Sequence, residues 1–375
     1  MRLSIPGPRE LKVIYSPLHG VGEFNVRTLL EADGFRQLEI YEPHRKPDGD
    51  FPNVPGHVSN PENAEVFSEI IRHAQQSGAE LILATDPDCD RMGAAAPVGL
   101  DPRGAWKTFN GNQLSSLLAE FVLRKLEQSG RLTPAHYIVT TLVTTPLLKR
   151  IAQAFNARCF DENLVGFKWI CNVIDQQGPD QFVYGTEESH GFLIGQYCRD
   201  KDGVIACMLM AQLAAEAKSL GQSVHQRMDE LYLKYGLHHE HQVNLRMEGS
   251  DGMRRMQRLM AAFRERPPTQ LGDLPVIALR DFLHQRRTLL DGATSPQGGP
   301  KDNLIMLDTS REGNFVAVRP SGTEPKVKFY LFAYVPAHEI RDLSAAKTEM
   351  ASRIQAFDRD LRKFAEMNEN LATEN

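Results

Sequence analysis

Three aspartates at alternate positions, Asp86, Asp88 and Asp90, follow an apolar run in residues 79–92 (AELILATDPDCDRM) and are followed at once by Arg91. An extended chain would point residues i, i+2 and i+4 to one side, so the carboxylates would converge. Left unneutralised they repel one another and their proton affinities rise. A hard divalent cation with all-oxygen ligands removes that cost, and Mg²⁺ is the natural candidate. The end of a buried strand is also where open α/β sheets place their ligands. Counted as an EF-hand loop from Asp86, the sixth and twelfth positions hold Arg91 and Pro97 instead of Gly and a carboxylate, which excludes that motif. A polar turn whose acids only face water is the alternative these residues leave open.

Two further stretches carry chemistry. In GTEESHG (185–191), Glu187 and Ser189 are two apart after an apolar run. A carboxylate that accepts and a hydroxyl that accepts and donates suit neighbouring sugar hydroxyls, whereas a Thr186 or Ser189 helix cap is the plainer reading. In RPSGTEPKVK (319–328), Arg319, Ser321, Thr323 and the amides around Gly322 form a donor-rich loop with almost no competing acceptor. That is the composition of a phosphate cradle, and Arg adds a bidentate fork. A plain turn helped by Pro320 and Gly322 would need none of Arg, Ser and Thr together. Lys201, between Asp200 and Asp202, could act as an acid or a charge clamp near phosphate or metal. Lys168 is a weaker candidate of the same kind, and His19 and His190 are candidate proton carriers for which structural roles compete. Gly20 and Gly22 could let a phosphate approach a helix N-terminus, although a tight turn is the simpler account.

These groups need elements to position them. Strands are expected over 11–15, 38–41 and 81–84, with helices over 23–33, ending at Gly34, and 62–77; residues 43–61 read as a long loop. Residues 106–112 look like a crossover, followed by a helix over 112–128, a strand over 137–141, a helix over 146–155 and a further helix from 165. A strand over 182–185 delivers GTEESHG, and a long apolar helix spans 204–220. The remainder reads as grouped strands with a final helix over 338–364, and 291–300 as a loop. The fold class is therefore α/β, two α/β domains (1–105 and 106–236) followed by a smaller α+β domain (237–375).

Composition bounds the rest. The 375 residues are 41% hydrophobic and 24% charged, with net charge −5 from 43 basic and 48 acidic groups. Nothing there calls for nucleic acid or a membrane as partner. The five cysteines lack a CxxC pair, no apolar run reaches membrane-spanning length and the start lacks a signal-peptide core, so a cytoplasmic protein is expected.

Taken together, DPDCDR (86–91), GTEESHG (185–191) and RPSGTEP (319–325), supported by GFKWI (166–170) and RDKDG (199–203), resemble the phosphohexomutase superfamily of phosphoglucomutases and phosphomannomutases along nearly the whole chain. The resemblance implies that Asp86, Asp88 and Asp90 hold Mg²⁺ beside Arg91, that Gly166, Glu187 and Ser189 bind the sugar, that Arg319, Ser321, Gly322 and Thr323 bind its phosphate, and that Lys201 is an acid/base. It implies transfer of a phosphoryl group between a phosphoserine and the two ends of a hexose 1- or 6-phosphate through a bisphosphate intermediate. One departure stands out. Family members have four domains and carry the serine in a first-domain loop like TASHNP. This sequence has no such stretch, VSNPEN at 58–63 being the nearest look-alike, so it reads as lacking the N-terminal phosphoserine domain and inactive alone. The competing readings are a non-catalytic sugar-phosphate module, a phosphopentomutase-type substrate, and a metal-dependent phosphatase.

Overall fold

The computed structural model describes residues 6–247, 249, 251–322 and 324–370. The chain forms two compact units, Met1–Leu231 and Tyr232–Asn375. In the first, β1 (Lys12–Ser16), α1 (Glu23–Asp33), β2 (Gln37–Ile40), α2 (Ser68–Ser77), β3 (Leu81–Thr85), β4 (Met92–Pro97) and β5 (Trp106–Thr108) build a sheet of order β2-β1-β3-β4-β5. α3 (Gly111–Gln128), β6 (Tyr137–Thr141), α4 (Leu147–Ala154), β7 (Arg158–Asn163), α5 (Phe167–Gln177), β8 (Phe182–Glu187) and β9 (Gly191–Ile194) build a second, of order β7-β6-β8-β9. α6 (Gly203–Ser219) and α7 (Val224–Tyr235) follow.

The two sheets share one topology. In each, the first strand is flanked by the second and third in parallel, each reached through a helix, and the fourth turns back antiparallel. The turn from third to fourth strand is residues 86–91 in one sheet and 188–190 in the other. Each turn holds one non-glycine residue in the left-handed region, Cys89 at φ 61 and His190 at φ 65.

Local chemistry explains the boundaries. α1 stops where Gly34 takes φ 105 and its N–H reaches back to the Glu31 and Leu30 carbonyls. α3 opens on a reciprocal pair of bonds between Asn110 and Gln113. β3, β6 and β8 are buried along their whole length because helices cover both faces. α6 is apolar nearly all round because it packs on β3 and β4 of the first sheet and on β9 of the second. Among the described residues no single helix is long and apolar enough to cross a membrane.

The expectations need four corrections. The stretch at 106–112 is no crossover: β5 pairs antiparallel with β4 and completes the first sheet. The helix expected over 62–77 is a 3-10 turn, Ala64–Phe67, capped by the Asn63 side chain, before α2 begins. β4 (MGAAAP) and β9 were not anticipated, since small residues and a four-residue run carry little strand signal. In the second unit, β14 (below) lies inside the stretch read as a loop.

That unit comprises β10 (Leu237–Arg246), α8 (Gly252–Glu265), β11 (Gln270–Leu271), β12 (Leu274–Asp281), β13 (Arg286–Leu289), β14 (Thr294–Pro296), β15 (Ile305–Thr309), β16 (Phe315–Pro320), β17 (Lys326–Val335) and α9 (Leu343–Asn370). Its strands pair antiparallel in the order β10-β17-β16-β15-β12-β13-β14, with β11 beside β12. α8 and α9 are anchored on β17 through Phe263, which meets both Phe329 and Phe364.

Candidate active site

The aspartates converge, but through a turn and not an extended strand. β3 ends at Thr85, and the left-handed Cys89 bends the chain so that one carboxylate oxygen from each of Asp86, Asp88 and Asp90 lies within 4.8 Å of the others. Asp86 is buried: Oδ1 accepts from the Asp90 and Arg91 amides (3.1 and 2.9 Å) and Oδ2 from Arg91 Nε (2.5 Å). Burial, with the Asp90 charge adding, pushes its pKa up to about 6 against the pull of Arg91. Arg91 is held in turn by Glu62 (2.9 Å) and Asn60 (3.3 Å), neither of which was singled out from sequence. Asp88 is exposed. The donors are all carboxylate oxygens, so the set fits a hard dication.

Gly20 and Gly22 are both required by close packing. A Cβ on Gly20 would lie 2.3 Å from Pro87 Cα, and one on Gly22 would lie 2.3 Å from Tyr15 Oη and 2.7 Å from Cys89 Sγ. The loop after β1 is thus seated directly on the acidic turn.

Glu187 and Ser189 lie at the end of β8 and in the turn beyond it. Glu187 is only 5% exposed, and its Oε1 accepts from the Gly166 amide at 2.6 Å. Gly166 has φ 121, a conformation that disfavours any side chain. Burial first, then the neighbouring Glu188 charge, pushes the Glu187 pKa up to about 7. Glu188 instead turns to Thr144, whose hydroxyl donates to Oε2 at 3.0 Å.

The structure joins this turn to the acidic one. The Met92 amide donates to the His190 carbonyl (3.2 Å), Arg91 and Gly191 form an antiparallel bridge, and the Gly203 amide donates to the Cys89 carbonyl (3.1 Å). Lys201 Nζ pairs with Asp90 Oδ2 at 2.5 Å. Burial works against the Lys201 charge, but Asp90 and Asp200 outweigh it and its pKa is raised. Asp202 caps α6 through the amides of Val204 and Ile205 and takes the Tyr197 hydroxyl at 2.5 Å, closing the lysine loop. His190 is buried with its Nδ1 turned to the Met92 carbonyl (3.0 Å), and burial lowers its pKa. His19 is also buried, its Nδ1 2.8 Å from the Lys46 carbonyl. Lys168 lies 5.3 Å from the Trp169 ring centroid, on the exposed start of α5.

The 319–325 turn belongs to the second unit and connects β16 to β17. The Ser321 amide donates to the Lys326 carbonyl (2.8 Å), and nothing lies within 4 Å of where a Gly322 Cβ would stand. Thr323 lies outside the described residues. Acceptors do compete here: Glu324 pairs with Lys326 at 2.7 Å, and Asp302 approaches Arg319 to 3.9 Å. Strand register places further cations beside Arg319. Arg319 is opposite Lys328, and Lys326 is opposite Arg246. Paired residues and residues two apart share a face, so all four surround the turn on one side of the sheet. The alternate lysines of KVK were visible in sequence, but the long-range pairing that brings Arg246 was not.

Two mixed sheets of one topology, bonded together at the tips of their β3–β4 and β8–β9 turns, define the α/β unit that carries both turns. Residues 4–99 match the family profile described as phosphoglucomutase/phosphomannomutase, alpha/beta/alpha domain II, and residues 110–235 match the one described as domain III. A phosphoglucomutase of Staphylococcus aureus is 34% identical over 329 residues, which is 87% of this chain and 57% of that protein. One from Staphylococcus epidermidis is 35% identical over 324 residues, 86% and 57% respectively. The chain therefore spans a little over half the length of the curated relatives it matches. Among solved structures, a phosphoglucomutase/phosphomannomutase family protein of Burkholderia thailandensis has the same fold, with a TM-score of 0.60 at 18% identity over 95% of this chain and 61% of that one. The chain belongs to the phosphohexomutase superfamily.

Proposed function

We propose that this chain supplies the cation-, sugar- and phosphate-handling parts of a phosphosugar mutase of the glucose 1-phosphate/glucose 6-phosphate type. Asp86, Asp88 and Asp90 would hold Mg²⁺, whose contribution when bound is to neutralise charge on a transferring phosphoryl group. Lys201, an ammonium beside Asp90, is the proton donor, and Arg91 fixes Asp86. Glu187 and Ser189 receive sugar hydroxyls, with Gly166 holding the Glu187 carboxylate in place. Arg319, Ser321 and Gly322, with Thr323, take the sugar's phosphate, and Lys326, Lys328 and Arg246 add positive potential around it. The observation that carries this reading is the bonding of the acidic turn to the Glu187 turn, which suits a metal-bound phosphate and a sugar ring held next to each other.

The 375 residues contain no Ser-His-Asn-Pro or Ser-His-Asp-Pro stretch, so we read turnover as requiring a phosphoserine from outside them. Calorimetric titration with glucose 1,6-bisphosphate, with and without Mg²⁺, beside a mutase assay, tests the proposal. Mg²⁺-dependent binding without turnover is expected. Failure to bind, or phosphate release from sugar phosphates, refutes it, and robust turnover of glucose 1-phosphate refutes the requirement for an added serine.

A further inference from the structure

His190 is buried, with 3% of its surface exposed, in the turn between β8 and β9. Its Nδ1 lies 3.0 Å from the carbonyl of Met92, the residue that follows the acidic turn and opens β4. A carbonyl only accepts, so Nδ1 carries the proton and donates. The Met92 amide returns a bond to the His190 carbonyl at 3.2 Å. Two residues 98 positions apart thus exchange a reciprocal pair of bonds, and the Arg91–Gly191 bridge continues the pairing. The backbone of His190 is left-handed, φ 65, which a non-glycine residue adopts at some conformational cost. The far side of the turn is pinned as well. A Cβ on Gly111, the first residue of α3, would fall 1.8 Å from the Glu188 carbonyl oxygen and 3.0 Å from His190 Cδ2. Thr144 holds Glu188 through its hydroxyl. The buried His190 side chain therefore ties the turn that carries Glu187 and Ser189 to the first residue of β4, directly after the Asp86–Arg91 turn.

We infer that His190 is a positioning residue that couples the two turns, so that occupying the cation site strengthens binding at the sugar site and the reverse. The inference rests on the function proposed above. Coupling follows because each turn has few ways to move without the other: displacing Met92 to accommodate a cation drags the His190 backbone, and Ser189 is its neighbour. Linkage then requires equal and reciprocal effects on the two affinities.

The test uses the full chain with Mn²⁺ alone and glucose 1-phosphate alone as probes, then each in the presence of the other, with thermal midpoints measured in parallel. His190→Asn keeps an N–H donor close to the position of Nδ1 and tolerates the left-handed backbone. His190→Leu keeps apolar bulk and removes the donor. Wild type is expected to bind glucose 1-phosphate about fivefold more tightly with Mn²⁺ present, within the usual range of coupling between sites. His190→Asn should retain most of that enhancement, and His190→Leu should reduce it below about twofold even where its melting point allows full folding. If His190→Leu does not fold, His190→Gln, which keeps a polar amide but displaces it toward the Nε2 position, takes its place with the same expected loss. An enhancement unchanged in His190→Leu or His190→Gln, or lost equally in His190→Asn, overturns the inference while leaving the proposed function standing. A wild-type chain that binds neither probe overturns both.

Discussion

Substituting Glu187 by Gln should make the protein more stable at neutral pH and flatten its pH dependence. The carboxyl is 5% exposed, and burial and the Glu188 charge push its pKa from an ordinary 4.5 up to about 7. The folded state therefore binds this proton more tightly than the unfolded chain. Stability from this group is fully present below pH 4.5, and is lost as pH rises through about 7. The slope in between is at most ~1.4 kcal/mol per pH unit, so the loss sums to about 3 kcal/mol. Gln carries no charge at any of these pH values, and its carbonyl oxygen can still accept from the Gly166 amide. Relative to wild type, Glu187→Gln should be close to neutral at pH 4 and about 3 kcal/mol more stable at pH 8. Buried Asp86, raised to about 6, loses stability in the same direction, but it titrates in both proteins and drops out of the difference. Urea unfolding at pH 4, 5, 6, 7 and 8 measures it. Parallel stability curves for the two proteins across that range would refute the argument.

Three further outcomes follow from the geometry. Gly111→Ala places a methyl group 1.8 Å from the Glu188 carbonyl oxygen and should destabilise the protein by ~1–3 kcal/mol, lowering the thermal midpoint by roughly 5 °C, whereas Gly99→Ala, with nothing within 4 Å, should not move it. Lys201→Gln removes the ammonium now 2.5 Å from Asp90 and should tighten Mg²⁺ binding several-fold in calorimetry, an effect of opposite sign to its loss of any proton-donor role. Asp88→Asn, altering the exposed member of the trio, should weaken Mg²⁺ binding about tenfold or more and leave the metal-free melting curve unchanged.

The elements that sequence made plain are those with local punctuation. The helix over Glu23–Asp33 and the strand over Tyr137–Thr141 fall where the residues place them, the first because Gly34 ends it and the second because five buried residues follow a turn. The aspartate cluster was legible in composition, but its means of convergence was not: a left-handed Cys89 is invisible in a string of letters. β4 was obscured by alanine and glycine, which pack tightly in a buried strand yet have low strand propensity. Least legible was the joining of the two turns, because Met92 and His190 meet only once both sheets have formed. The same holds for Arg246, whose place beside Lys326 depends on the register of β10 against β17.

The duplicated plan of the first unit has a consequence for ancestry. Both hairpin tips occupy the same station in that plan, and they grip each other backbone to backbone. A lineage that inserted a residue into either tip would pull its counterpart out of line. Homologues should therefore collect insertions and deletions in the stretch 43–61, with its isolated 3-10 turns, and keep both tips at constant length.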